Sequence, residues 1–247
     1  MKQKDKKISQ KIIFLLFSTF FLVGLFTYKD YGISVDEEFH RSCGFYWLNY
    51  ILSFTSLDEL KNLVDIKINQ IKGFTLPKPS DNPYYGVVFD LPVALLEVVL
   101  KIDDPKNYFQ FRHLLNFILF FIGSIFFYKL LLNRFSNYTI ASLGTLFFVL
   151  SPRIYGNSFY NNKDIIFLSF FIINLYYGIK FFKKNSLLNA SFFALTTALS
   201  IDIRIMGIVI IPCIIVPIIL KNQNKIRKIL LSLTLYVLLL FLFTILF

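Results

Sequence analysis

Apolar residues in this chain are gathered into long runs separated by polar stretches, with little amphipathic spacing inside the runs. Seven runs stand out: Ile12–Tyr28, Leu114–Leu132, Tyr138–Leu150, Ile165–Phe182, Leu187–Ile201, Ile205–Leu220 and Ile229–Phe247. A straight helix needs about 20 apolar residues to cross the hydrocarbon of a bilayer, and several runs fall short. Short spans with polar interruptions are tolerated where the broken end is covered by protein or lines a wet cavity. The pattern predicts an all-α, polytopic transmembrane helical bundle of about seven spans, forming one membrane domain over 1–247. A further run, Val87–Leu100, contains Asp90, Pro92 and Glu97. It reads as a surface helix within a long outer loop, 29–112. The Lys-rich start followed by an apolar run is like a signal peptide, but no small-residue cleavage site follows Phe26, so an uncleaved first span is expected. The residues Leu238 to Phe247 end inside an apolar run, from which truncation at the C-terminus is expected.

Composition strengthens the membrane reading. The chain is 56% hydrophobic and 19% aromatic, with 31 Phe, whereas soluble domains are about 45–50% apolar. The two cysteines, Cys43 and Cys213, have no metal-ligand spacing, and no disulfide or zinc argument follows.

Charge supplies an orientation. Alternating the loops puts Lys2, Lys4, Lys6, Lys7, Lys11, Lys129, Arg134, Lys180, Lys183, Lys184, Lys221, Lys225, Arg227 and Lys228 on one side, with Asp5 as the sole acid. The positive-inside rule makes that side, and the N-terminus, cytoplasmic. The net charge of +11 is then a topology signal and an attraction to anionic lipid, and nucleic acid is not an expected partner.

The other, extracytoplasmic face gathers most of the candidate chemistry. Asp30, Asp36, Glu37 and Glu38 follow the first run directly, and ionisable groups near membrane depth are rare and usually functional. Asn82–Gly86, Arg112-His113, Ser151–Asp164 and Asp202-Ile203-Arg204 share that face. Each has a plainer reading: Asp36-Glu37 as a solvated loop, Asp164 as a helix N-cap, Arg153 as an interfacial anchor, Arg204 as the partner of Asp202. His40 and His113 read as structural, Lys29 and Asp30 as interface markers.

The mix of carboxylates, guanidiniums, amides and aromatics suits an amphipathic anionic substrate. A carboxylate base needs hydrogen-bond reach to the proton it removes; Asp36 is placed to deprotonate a hydroxyl or amine attacking a sugar anomeric carbon. Phosphate would leave, its charge met by Arg153, Lys163 and Arg204. Tyr84, Tyr85, Arg112, His113, Asn161 and Asn162 are candidate substrate contacts. Glycine-rich phosphate loops are absent from the sequence, and nucleotides are not assumed outside the cytoplasm, so the donor would be a membrane-anchored lipid phosphate.

In this order and on one side, these motifs resemble the GT-C class of integral-membrane glycosyltransferases. They are most similar to the dolichyl-phosphate-mannose protein mannosyltransferase-like branch, which includes bacterial polyprenyl-phosphate sugar transferases. That class carries an Asp-Glu motif after its first span, here Asp36-Glu37 within Gly32–Glu37, then a surface helix, here Val87–Leu100. A second acid lies between the third and fourth spans, here Asp164 at the end of the Ser151–Asp164 stretch. The Ala198–Gly207 stretch resembles a polar break in which a basic residue is followed by Gly. The resemblance implies a GT-C fold, with Asp36, Glu37 and Asp164 as catalytic residues. It further implies a polyprenyl-phosphate sugar donor and a glycan, lipid or protein acceptor, and no cofactor: two carboxylates can hold a divalent ion, but that branch is metal-independent. Members usually have more spans and often an outer soluble domain. A second reading is a transporter or flippase for a lipid-linked or anionic solute, with charges near the midplane and repeated halves; a third is an inactive fragment.

Overall fold

The structure is a computed structural model and describes residues 3–70, 86–221 and 226–246. Tyr84 and Tyr85 lie outside the described residues. The described chain is helical throughout: α1 Gln3–Thr27, α2 Val35–Leu52, α3 Asp58–Gln70, α4 Asp90–Val99, α5 Pro105–Phe135, α6 Tyr138–Val149, α7 Pro152–Tyr160, α8 Asp164–Lys183, α9 Leu187–Ile203, a 3-10 turn Ile205–Val209, α10 Ile210–Lys221 and α11 Ile226–Leu246. The seven apolar runs fall on α1, α5, α6, α8, α9, the 3-10 turn with α10, and α11. Helices α5 and α8 are long and apolar enough to cross a bilayer by themselves. At 1.5 Å per residue the 20 residues of α8 extend about 30 Å, the thickness of the hydrocarbon.

Local chemistry sets the helix ends. Pro105 opens α5 at a position where its missing N–H costs nothing, and the Asp104 carboxylate accepts from the Asn107 N–H at 3.2 Å. Asn137 caps α6 through the N–H groups of Thr139 and Ile140, and Ser186 caps α9 through that of Asn189.

Helix α8 is central, packed against α5 and α9, and α9 in turn packs on α11. One core joins Phe181, Phe193, Ile214, Ile218 and Tyr236 on α8 to α11; another joins Phe20, Phe117, Phe120, Phe159 and Ile165 on α1, α5, α7 and α8. Within the first, Asn174 accepts from Thr196 at 3.3 Å and Thr197 at 3.0 Å. Such interhelical side-chain bonds tie apolar helices that have no hydrophobic drive to associate in lipid.

The segment 29–112 departs from the expectation of a loop with one surface helix. It holds α2, α3 and α4, and α5 begins at Pro105, so Arg112 and His113 sit in the second and third turns of that helix. Phe45, Leu48, Leu52, Val64, Ala94 and Val98 form a small core of α2, α3 and α4. Asp90 and Glu97, the charges of the Val87–Leu100 run, are buried. Glu97 receives a fork from Arg41, with nitrogen–oxygen distances of 3.1 and 2.6 Å, and Asp90 is fully buried. Planar bidentate pairing allows a carboxylate and guanidinium to leave water together.

Candidate active site

The site is built on three chain breaks: the start of α2, the α7–α8 link and the end of α9. A cavity of about 320 Å³ opens between them, lined by residues that include Ser34, Asp36, His40, Tyr160, Asn161, Asn162, Lys163, Asp164 and Arg204.

At the first break Ser34 caps α2 and Glu37 closes the reciprocal bond, its carboxylate accepting from the Ser34 N–H at 2.7 Å. The other Glu37 oxygen lies 2.8 Å from His113 Nε2, and Glu37 is 1% exposed. Successive helical residues point about 100° apart, so holding Glu37 inward turns Asp36 outward. Asp36 is exposed, lines the cavity and forms no ion pair among the described residues. The adjacent carboxylates are thus divided: Glu37 is locked behind the wall and Asp36 faces the space.

At the second break the cap is Asn161 and not Asp164. Asn161 Oδ1 accepts from the N–H groups of Lys163 and Asp164 at 3.3 and 2.8 Å. Its amide nitrogen donates to Asp164 Oδ2 at 3.1 Å. Freed from capping, Asp164 pairs with Arg204 across the cavity mouth, both side chains partly exposed.

At the third break Arg204 takes extended backbone between α9 and the 3-10 turn. The Gly207 N–H returns to the Arg204 carbonyl at 2.8 Å. A Cβ on Gly207 would lie 2.6 Å from the Ser200 carbonyl carbon, so this fold-back requires glycine. Asp202 is not the partner of Arg204. Its carboxylate accepts from the Val88 N–H at 3.0 Å and its carbonyl from the Gly86 N–H at 2.9 Å, anchoring the strap that leads into α4.

Behind the cavity lies a charge cluster that sequence reasoning did not find. Asp90 pairs with Arg112 and, at 3.0 Å, with Lys163; Asn162 donates to it at 2.8 Å. Lys163 also donates to the Gly86 carbonyl at 2.7 Å. Burial by itself would raise the Asp90 pKa, but Lys163, Arg112 and His40 outweigh it and hold the carboxyl below its ordinary range. His40 lines the cavity beside this cluster. Burial, with Lys163 and Arg112, pushes its pKa down to about 4 against the opposing pull of Asp90 and Asp36, so its imidazole is neutral near pH 7.

The structure therefore gathers Asp36, Asn161, Asn162, Lys163, Asp164 and Arg204 at one cavity. Glu37, Arg112 and His113 stand buried behind it, and Arg153, in the first turn of α7, is exposed and outside it. Ser34 and His40 are cavity residues that were not singled out for chemistry. The capping signature Ser34-Val35-Asp36-Glu37 was the available signal for the first; nothing local marks His40. Among the described residues no group of three or more His, Cys, Asp or Glu is placed to hold a metal ion.

No curated protein and no solved structure matches the chain. The family model for dolichyl-phosphate-mannose-protein mannosyltransferases matches residues 93–247. That segment runs from α4 to the end of the chain and takes in Asp164 and Arg204, with Asp36 ahead of it. The match spans more than half of this all-α membrane bundle, and on it the chain belongs to the dolichyl-phosphate-mannose-protein mannosyltransferase family of membrane glycosyltransferases.

Proposed function

We propose that this protein transfers a sugar from a polyprenyl-phosphate donor to a hydroxyl or amine on an extracytoplasmic glycan, lipid or protein acceptor. The observation that carries the reading is the shared cavity: the Asp36 carboxylate and the Arg204 guanidinium, held by Asp164, line one space of about 320 Å³. That volume lies at the small end of ligand pockets and suits a sugar ring, with the lipid left outside in the bilayer. Asp36 takes the proton of the acceptor as its oxygen or nitrogen attacks the anomeric carbon. The anomeric carbon–oxygen bond breaks, and the polyprenyl phosphate leaves with its new negative charge facing Arg204.

Asp164 acts as a positioning residue for Arg204, and Glu37 with His113 positions the start of α2. Lys163 is already paired with Asp90, so its contribution to phosphate binding is secondary. Tyr84 and Tyr85 remain candidate substrate contacts, and Arg153 serves as an interfacial anchor. The reading invokes no cofactor. In it the seven apolar helices cross the membrane, the Lys-rich loops are cytoplasmic and the cavity opens on the opposite side.

The test is transfer by the full chain in proteoliposomes supplied with a panel of polyprenyl-phosphate sugars. Asp36→Asn is expected to lower the rate by about 10²–10⁴ while donor binding persists; Arg204→Ala is expected to weaken both. Undiminished transfer by Asp36→Asn would remove it as the base. Undiminished transfer by Asp36→Asn, Asp164→Asn and Arg204→Ala alike would move the site elsewhere.

A further inference from the structure

A second hollow, of about 590 Å³, lies between α5, α8 and the turn into α9. It sits at the far end of the bundle from the candidate active site. Asp164 at the start of α8 lines one cavity and Lys180 and Lys183 at its end line the other, which separates them by about 25–30 Å. Lys129, Lys180, Lys183 and Lys184 converge on this hollow together with Asn133 and Tyr176. Among the described residues no carboxylate lines it. From Pro105 to Phe247 the sequence has only two acids, Asp164 and Asp202, and both stand at the opposite end.

The C-terminal dipole of α8 favours lysine in its last turn, which accounts for Lys180 and Lys183. It does not account for Lys129, from α5, and Lys184, beyond the helix, facing the same space. The walls are also held in shape. The Asn189 amide donates to the Lys184 carbonyl at 2.9 Å and the Lys180 carbonyl at 3.4 Å. Lys183 Nζ donates to Asn133 Oδ1 at 2.5 Å. The Lys180 ammonium lies 4.8 Å from the Tyr176 ring centroid and that of Lys129 4.5 Å from the Phe126 ring centroid. Four like charges in one hollow, with no carboxylate among the described lining residues, favour an anion bearing several oxygens. The hollow lies one membrane thickness from the active-site cavity, where headgroups gather, and basic pockets between membrane helices suit lipid phosphates.

We propose that this hollow binds the phosphate headgroup of an anionic phospholipid, which joins α5 to the α8–α9 turn. The inference does not depend on the transfer reaction. Native mass spectrometry of the detergent-solubilised full chain, titrated separately with phosphatidylglycerol, phosphatidylcholine and inorganic phosphate, tests it. Saturable binding of phosphatidylglycerol in preference to phosphatidylcholine is expected. At roughly five-fold per lysine, Lys180→Gln/Lys183→Gln should weaken it by roughly 25-fold, and Lys129→Gln/Lys184→Gln comparably. Lys11→Gln/Lys106→Gln, which removes two exposed charges outside the hollow, should leave it within about two-fold. Equal binding of the two lipids, no loss in either hollow variant, or an equal loss in the Lys11/Lys106 variant would overturn the proposal. Inorganic phosphate binding as tightly as phosphatidylglycerol would replace the lipid by a soluble anion and overturn it as well.

Discussion

Asp90→Asn is expected to be among the most destabilising isosteric substitutions in this protein. The Asp90 side chain is 0% exposed and stands between Arg112 and Lys163, whose side chains are 1% and 6% exposed. Asparagine removes the negative charge and leaves two buried cations facing each other. It also turns one acceptor into a donor, against Lys163 or against Arg112 and Asn162. At the 3.0 Å separation of Asp90 and Lys163 and an effective dielectric constant of about 20, Coulomb attraction is roughly 5 kcal/mol. Water admitted to Lys163 returns part of it, which leaves a loss of about 3–5 kcal/mol, as for other broken buried pairs. For a chain of this size each kcal/mol shifts Tm by roughly 2–4 °C, so a fall of about 6–20 °C is expected in a detergent thermal melt. Adding Lys163→Met to Asp90→Asn removes the stranded ammonium and should recover a substantial part of the loss. A fall below about 2 °C, or no recovery in the double variant, would refute the argument that this cluster is held by charge pairing.

Two further outcomes are expected. With its pKa at about 4 in the folded chain and near 6.5 unfolded, His40 is protonated first in the unfolded state on acidification. Its contribution, up to about 3 kcal/mol, is full above pH 6.5 and lost as pH falls toward 4; His40→Gln should flatten stability over that window, and an unchanged slope in pH-dependent melts would count against it. Gly207→Ala places a Cβ 2.6 Å from backbone at Ser200, so a cost of about 1–3 kcal/mol and slower transfer through a displaced Arg204 are expected. A variant with wild-type Tm and rate would show that the turn opens freely.

The seven apolar helices were legible because a backbone shielded from water must satisfy its own hydrogen bonds, and a helix does so within one continuous apolar run. The match between expected runs and observed helices is closest at Tyr138–Leu150 and Ile165–Phe182, where apolar character stops at a cap or a charge. It is weakest over 29–112, where α2 and α3 carry many polar residues and are held by a small core and ion pairs. Their only clear local signal was the Ser34–Glu37 cap.

The sequence by itself determined the class of protein, the helical runs, the charge asymmetry of the loops and a set of polar breaks from which Asp36, Asp164 and Arg204 were drawn. Only the tertiary structure decided which members of those breaks meet. Adjacent carboxylates look alike in sequence, yet the cap and His113 draw Glu37 inward and leave Asp36 facing the cavity. Arg204 could pair with a neighbour two residues away, yet the Gly86–Val88 strap occupies Asp202 and leaves Arg204 to Asp164. Asp90, Arg112 and Lys163 are separated by up to 73 positions and become one cluster through packing alone. Hydropathy and capping act between near neighbours along the chain; charge pairing acts through space, and is settled only when the helices have chosen their contacts.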